Sequence, residues 1–387
     1  MILQQFDREE FVRNYWQKKP LLIRNQASGF ADPVTGDELA GLACEEMVES
    51  RLVSTAANGS LELRHGPFEP SVFENLADNN WTLLVQAVDQ YVAEVDALKS
   101  CFDFIPSWRI DDVMVSYACD GGGVGPHYDQ YDVFLIQGAG SRNWKIGATC
   151  HSGTPLRTDS ELRVLQQFEP ELEYVLNPGD ILYVPPKFAH HGVSIGESLC
   201  YSVGFRAPSL VEMIQGYTDT LTDGLSGDRR YIDSDAVIPV YPGEITGTAI
   251  NTGFALLLDS LEDKSAFTDW FGCYVTTPKY PEKVVEIASA VTGESLRDII
   301  KLQEQPIELT KNSSSRFAYF VVEEQVRLYV DGECFLCQGN RIDLIQGLCD
   351  LPWTQALSAD EYFRWQDTRK LLASLISQGS ILLSDGY

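Results

Sequence analysis

Between Trp108 and Phe205 the chain alternates short runs of β-branched and aromatic residues with glycine, proline and aspartate turns. That pattern restricts the stretch to a β sandwich or barrel, such as a jelly roll. Trp108-Arg-Ile-Asp-Asp-Val-Met-Val-Ser-Tyr117 places Ile110, Asp112, Met114 and Ser116 on one face and Val113, Val115 and Tyr117 on the other. Gly121-Gly-Gly-Val-Gly125 is too rich in glycine for a helix and lacks the Gly-Lys-Ser/Thr ending of a phosphate loop, so it reads as a hairpin connection. Strands are expected at Tyr128–Gln137, Arg142–Ile146, Ile181–Val184 and Leu199–Phe205. Turns fall at Gly138-Ala-Gly140 and Asn177-Pro-Gly-Asp180, and Pro185-Pro186 ends a strand.

His127 and Asp129 stand two positions apart at the start of one of these strands, so they and Tyr131 are expected to share a face. An imidazole and a carboxylate aimed at one point are two parts of the 2-His-1-carboxylate set that holds Fe(II) and leaves positions open. The chain has five histidines, which leaves His65, His151, His190 and His191 as candidates for the third ligand. His190 and His191 follow the Pro185-Pro186 break, in what reads as a loop returning to the barrel mouth. Neighbours in extended chain point apart, so one of the two joins the site, and spacing does not say which. An iron site with open positions suits an oxygenase using O2 and a keto acid. The far carboxylate of that keto acid calls for a fixed cation, preferably a bidentate arginine. Arg142 and Lys145 lie on the following strand with opposite parity, and Arg142 shares its face with Trp144 and Ile146.

At 387 residues the chain exceeds one ordinary core, and two or three domains are expected. Its net charge of −27 argues against a general affinity for nucleic acid, since phosphate binding depends on Lys and Arg, and raises the encounter rate with basic partners. Nine scattered cysteines do not form a disulfide framework, which agrees with a reducing compartment. Cys334-Phe-Leu-Cys337 has no second pair or nearby histidine to complete a zinc site and reads as part of a short strand. The densest apolar run, Phe254-Ala-Leu-Leu-Leu258, is too short to span a membrane, and the first ten residues lack the features of a signal peptide. A cytoplasmic location is therefore expected.

The flanks read as scaffold. Asp7-Arg-Glu-Glu10 starts a helix with Phe6 and Phe11 as a hydrophobic staple. A strand follows at Leu21–Arg24, a helix at Asp37–Glu46, a strand at Arg51–Ser54 and a long helix from Trp81 to Leu98. Beyond Pro208, Leu210, Met213, Ile214, Tyr217 and Leu221 form an apolar helical stripe, and helices are expected at Ala249–Leu261 and Ala266–Cys273 around a linker at Asp228–Thr246. Such a stripe can pair with a copy of itself. Further helices are expected at Glu282–Val291, Leu296–Leu302, Arg341–Cys349 and Glu361–Gln378, and strands at Phe317–Val322, Val326–Val330, Cys334–Cys337 and Ile381–Leu383. Asp331-Gly332 supplies a hairpin turn, giving a winged-helix-like α+β module without a basic recognition face.

Several segments together closely resemble the bacterial ribosomal oxygenases, JmjC-type enzymes that depend on Fe(II) and 2-oxoglutarate. They include Trp16-Gln-Lys-Lys-Pro20, Asp37-Glu-Leu-Ala-Gly-Leu-Ala43, Ser50-Arg-Leu-Val-Ser54, His65-Gly-Pro-Phe68, Gly121-Gly-Gly-Val-Gly-Pro-His127, Asp129-Gln-Tyr-Asp-Val-Phe134, Pro178-Gly-Asp-Ile-Leu-Tyr183 and Tyr201-Ser-Val-Gly-Phe-Arg-Ala-Pro208. The resemblance is dense from about Trp16 to Pro208. It implies a mainly β catalytic core, a cupin-like double-stranded β-helix, with N-terminal α/β elements over residues 1–207, a helical dimerisation region over 208–276, and a winged-helix-like domain over 277–387. It implies His127, Asp129 and His190 as iron ligands, because Pro185 to Gly192 matches the family's Pro-Pro-x-Phe-x-His-x-Gly loop. Arg142 matches the arginine that binds 2-oxoglutarate, with Ser116 as a second contact. The implied activity is hydroxylation of an arginyl residue in a basic large-subunit ribosomal protein, with O2 as co-substrate and succinate and CO2 as products, by a cytoplasmic homodimer. For an arginyl target, Asp112, Met114, Tyr131 and Ser202 are expected to form the side-chain slot. Rivals are a protein histidine hydroxylase or lysine demethylase on the same site, and a non-catalytic interaction protein that keeps a metal for structure.

Overall fold

The computed structural model describes residues 3, 6–24, 30–234, 236, 238–285, 308–358 and 362–383. The chain divides into two compact units, Met1–Ala207 with Pro352–Gln355, and Pro208–Leu351 with Ala356–Tyr387.

The first unit contains helices α1 (Arg8–Asn14), α2 (Gly36–Leu42), α3 (Pro70–Glu74) and α4 (Ala93–Asp96). Its strands are β1 (Leu21–Ile23), β2 (Ser50–Thr55), β3 (Leu61–His65), β4 (Trp81–Val85), β5 (Ile110–Ala118), β6 (Val133–Gln137), β7 (Ser141–Thr149), β8 (Pro170–Leu176), β9 (Ile181–Val184), β10 (Phe188–Ile195) and β11 (Ser198–Phe205). Eight strands form one antiparallel sheet in the order β1-β9-β6-β11-β5-β4-β2-β3, and β10-β7-β8 form a second. This is the expected double-stranded β-helix architecture.

The large sheet is buried on both faces, which explains why its strands do not alternate polar and apolar residues. From β6, Phe134 and Ile136 join the outer core under the N-terminal helices, while Val133 and Leu135 join Trp144, Ile146, Leu176 and Leu182 between the sheets. The outer layer is aromatic: the Phe11 ring meets Tyr183 edge-on at 4.9 Å and Phe134 at a tilt at 5.4 Å. Burial of such a ring contributes about 1.5–3 kcal/mol. Asp7 caps α1 by accepting from Glu10 N at 2.9 Å, worth about 1 kcal/mol, and Phe6 lies 5.3 Å from Phe11 as the staple predicts.

The expected long helix from Trp81 to Leu98 is not formed. Trp81–Val85 is strand β4, paired to β2 and β5, followed by only short helical turns. Five consecutive apolar or β-branched residues suit a strand buried on both faces, and a run that short carries no distinguishing period. Ala87, with φ of +51°, then breaks the chain direction. The sequence reading also lacked β3 and β8; in β8 the glutamates at 171 and 173 lie on an exposed edge and mask the strand pattern.

In the second unit, α5 (Leu210–Gly224), α6 (Gly247–Leu261) and α7 (Lys264–Thr276) precede β12 (Glu308–Lys311), β13 (Phe317–Val322), β14 (Gln325–Val330), β15 (Glu333–Gln338), α8 (Ile342–Asp350), β16 (Ala356–Ser358), α9 (Gln366–Ser377) and β17 (Ile381–Leu383). The β14–β15 hairpin turns at Asp331 and Gly332, both at positive φ, as the Asp-Gly pair predicts. Leu328, Val330, Leu344, Leu348, Leu372 and Ile376 share its core. α7 packs on the hairpin, where Arg327 pairs with Asp269 at 2.9 Å. Cys334 and Cys337 sit three apart on β15 and so face opposite ways, as two cysteines of a short strand. The helix expected at Leu296–Leu302, and most of that at Glu282–Val291, lie outside the described residues; Pro281–Lys283 forms a 3-10 turn. Among the described residues no helix is long and apolar enough to cross a membrane.

Candidate metal centre and active site

The stretch from Gly121 to Asp132 is neither a hairpin nor the start of a strand. β5 and β6 are not neighbours, since β11 lies between them, and β6 begins only at Val133. The chain instead leaves the large sheet after β5 and crosses to the small one, where His127 exchanges backbone hydrogen bonds with His190 of β10 at 3.0 and 2.8 Å. The crossing depends on glycine. A Cβ on Gly123 would lie 2.4 Å from the Gly192 carbonyl, and Gly125 adopts φ of +81°. Asp132 anchors the far end, buried and accepting from Tyr183 Oη at 2.5 Å, Gln17 Nε2 at 3.0 Å and Arg109 Nη2 at 3.4 Å.

This crossing brings His127, Asp129 and His190 together. One ligand atom from each lies within 4.8 Å of the others. Asp129 Oδ2 is 3.5 Å from His190 Nε2 and 4.0 Å from His127 Nε2. These spacings are of the order expected for donors sharing an ion at roughly 2.0–2.2 Å. Each imidazole is oriented from behind: His127 Nδ1 donates to the Gly125 carbonyl at 3.0 Å and His190 Nδ1 to the Phe188 carbonyl at 2.9 Å. A carbonyl only accepts, so the proton sits on Nδ1 and the Nε2 lone pair faces the cluster. Burial, then the neighbouring His127, push the His190 pKa down to about 4, which keeps it in the neutral form a metal requires. The donor set fits a 2-His-1-carboxylate metal.

His191 faces away, its ring against Phe168 at 6.1 Å. Both histidines lie on strand β10 rather than in a loop, and strand parity sends them to opposite faces. His65 is on edge strand β3 and His151 is in an exposed loop.

Arg142 points between the sheets and is 6% exposed. Its Nη1 donates to Ser116 Oγ at 2.9 Å, and its Nε and Nη2 to Ser198 Oγ at 3.2 and 3.0 Å. Among the described residues no carboxylate forms an ion pair with it. Burial pulls its pKa down, yet a guanidinium stays cationic at neutral pH. A buried cation held by hydroxyls can receive a carboxylate. Lys145, of opposite parity, faces out and pairs with Glu173 at 3.7 Å.

Met114 lies directly opposite Ser202 across the β5–β11 pair, and Asp112 opposite Gly204. Asp112 is buried and accepts from Gln86 Nε2 at 2.8 Å and Ala87 N at 3.1 Å. Tyr131 is 43% exposed; removal from water, then the Asp129 and Asp112 carboxylates, raise its pKa. Sequence reasoning missed Ser198, which shares β11 parity with Ser202, and it missed Gln86, because Trp81–Leu98 reads as a helix; Arg51 lies on an expected strand, and its sequence carries no signal of a role.

A cupin-like double sheet closed on two histidines and a carboxylate, with a buried arginine alongside, defines the class of metal-dependent oxygenases. Residues 97–213 match the JmjC domain family, and residues 259–381 match the ROXA-like winged helix. The chain is 37% identical over 300 residues to the ribosomal protein uL16 3-hydroxylase of Escherichia coli, covering 78% of this chain and 79% of that protein. The E. coli ribosomal oxygenase YcfD, solved with cobalt and 2-oxoglutarate, superposes with a TM-score of 0.84 at 32% identity, over 98% of this chain and 99% of that one. Its complex with cobalt and succinic acid gives 0.84 at 31%, with the same coverage. The chain belongs to the JmjC-type ribosomal oxygenases.

Proposed function

We propose that the protein is a 2-oxoglutarate- and Fe(II)-dependent hydroxylase that adds one oxygen atom at carbon 3 of an arginyl residue in a large-subunit ribosomal protein. The observation that carries this reading is the convergence of His127, Asp129 and His190 on one point, with the buried Arg142 on the inner face of the neighbouring strand. These three residues would hold Fe(II), and Arg142 with Ser116 would take the far carboxylate of 2-oxoglutarate through charge-assisted hydrogen bonds. Bound iron would supply oxygen activation, coupling conversion of 2-oxoglutarate to succinate and CO2 with insertion of the second oxygen atom into a C–H bond.

The protein's own part is positioning. The Nε2 atoms of His127 and His190 would hold the metal, the Ser116 and Ser198 hydroxyls aim Arg142, and the apolar walls Leu135, Trp144 and Leu182 would exclude water. Asp112, Met114, Tyr131 and Ser202 would receive the target side chain. A buried carboxylate answers a guanidinium, while Met114 and the Tyr131 ring offer apolar surface to its flat faces. Similarity to the uL16 3-hydroxylase supports a ribosomal protein as substrate, and the net charge of −27 favours a basic one over nucleic acid.

The helical region over 208–276 would serve dimerisation. Its exposed apolar residues, Leu210, Val211 and Ile214 on α5 and Ile250, Phe254 and Leu257 on α6, support a homodimer. A cytoplasmic location follows from a ribosomal substrate. Incubation of ribosomal proteins with enzyme, Fe(II) and 2-oxoglutarate, followed by mass spectrometry with fragmentation, tests the activity. Gain of one oxygen on an arginine supports it; oxygen on a histidine, or loss of methyl from a lysine, assigns the site to a sibling chemistry.

A further inference from the structure

Two residues touch the proposed guanidinium slot and have no part in holding the metal or the keto acid. Gln86 donates from Nε2 to Asp112 Oδ2 at 2.8 Å, and its Oε1 accepts from Arg51 Nη2 at 3.3 Å. The same Nη2 of Arg51 lies 4.0 Å from Met114 Sδ. Arg51 comes from β2, Gln86 follows β4, and Asp112 and Met114 belong to β5. These three strands are consecutive in the large sheet, so the contacts run across its inner face.

The polarity of this arrangement is fixed at both ends. A carboxylate only accepts and a guanidinium only donates, so the amide must turn Nε2 to Asp112 and Oε1 to Arg51. A glutamate in place of Gln86 would set a second negative charge against Asp112, and a lysine could not accept from Arg51. Together with Ala87 N, which also reaches Oδ2 at 3.1 Å, the amide sets the plane of the Asp112 carboxylate. A guanidinium binds a carboxylate in plane through parallel N–H bonds, whereas an ammonium is a point charge without that requirement. Fixing the plane therefore favours arginine over lysine.

We propose that Gln86 and Arg51 are positioning residues that set the slot's preference for arginine, Gln86 by orienting Asp112 and Arg51 by holding both Gln86 and the Met114 wall. The inference rests on the slot reading given above. Its test uses the full chain with Fe(II) and 2-oxoglutarate, a basic synthetic peptide carrying one arginine, and the same peptide with lysine in that place as competitor. Gln86→Leu and Arg51→Met are each expected to raise KM for the arginine peptide about tenfold, the size of one hydrogen bond to a charged group, with kcat changing less. Both should narrow the preference for the arginine peptide in competition, and Arg51→Lys should recover part of the loss, since an ammonium still donates to Oε1. An unchanged KM in both variants, or equal weakening toward both peptides, would overturn the proposal. Asp112→Asn separates the two levels. A raised KM there with none in Gln86→Leu defeats this inference alone, and an unchanged KM in Asp112→Asn defeats the slot itself.

Discussion

Oδ2 of Asp129 stands 3.5 Å from Nε2 of His190, while His191, one residue on, turns its ring to Phe168. Strand parity in β10 makes this choice, and it gives a direct mutational contrast. His190→Ala is expected to abolish succinate release and metal uptake. His191→Ala is expected to lower turnover by less than about threefold, because its ring is a packing contact outside the donor set. Succinate assay and metal analysis of both proteins check it.

Among the described residues Arg142 is buried with hydroxyl and carbonyl hydrogen-bond partners, which supports its proposed role as the site of an incoming anion. Arg142→Ala should raise KM for 2-oxoglutarate by about a hundredfold, equivalent to about 2.7 kcal/mol and within the range for charge-assisted bonds. Ser116→Ala, which removes one aiming contact, should raise it about threefold to tenfold. Steady-state kinetics at varied 2-oxoglutarate checks the order of the two effects.

Much of this site was legible because its chemistry sits in close spacing. His127 and Asp129 are two apart, and the parity of Ser116, Asp112 and Met114 on β5 followed from strand period alone. What failed was local geometry set by distant pairing. His127 and Asp129 are aligned by a crossing to β10, not by a strand of their own, and no local pattern encodes which strand they will meet. The choice of His190 over His191 came from family resemblance, since two adjacent histidines look alike until the strand's register is known. Trp81–Val85 shows the same limit: a short apolar run fits a helix or a doubly buried strand, and only its pairing with β2 and β5 decides. That misreading hid Gln86 and, with it, the support behind Asp112.

The crossing itself has no room at Gly123, where a Cβ would meet the Gly192 carbonyl at 2.4 Å. Backbone must shift to admit it, and the shift falls between β10 and His127. Gly123→Ala is expected to destabilise the protein by about 1–3 kcal/mol, as overpacking does, and to weaken metal binding together with stability. Thermal unfolding with and without added metal should show a lower Tm and a smaller metal-induced rise.

Ile250, Phe254 and Leu257 follow the helical repeat on α6, and each is more than half exposed. Burial of this stripe against a second copy predicts that Phe254→Asp with Leu257→Asp converts a dimer to a monomer without unfolding the catalytic unit. Light scattering and circular dichroism of the variant check both parts. A wild-type chain that is already monomeric at micromolar concentration contradicts the prediction.

In the proposed function, one site couples 2-oxoglutarate consumption to oxygen insertion into a protein side chain. The most direct measurement follows succinate and hydroxylated product together, in one reaction of enzyme, Fe(II), 2-oxoglutarate and O2 with large-subunit ribosomal proteins. The expected result is one succinate per oxygen atom gained on a single arginyl residue, with both products lost in Asp129→Ala. Succinate release without any oxygen on protein, or product formation that survives loss of Asp129, would contradict it.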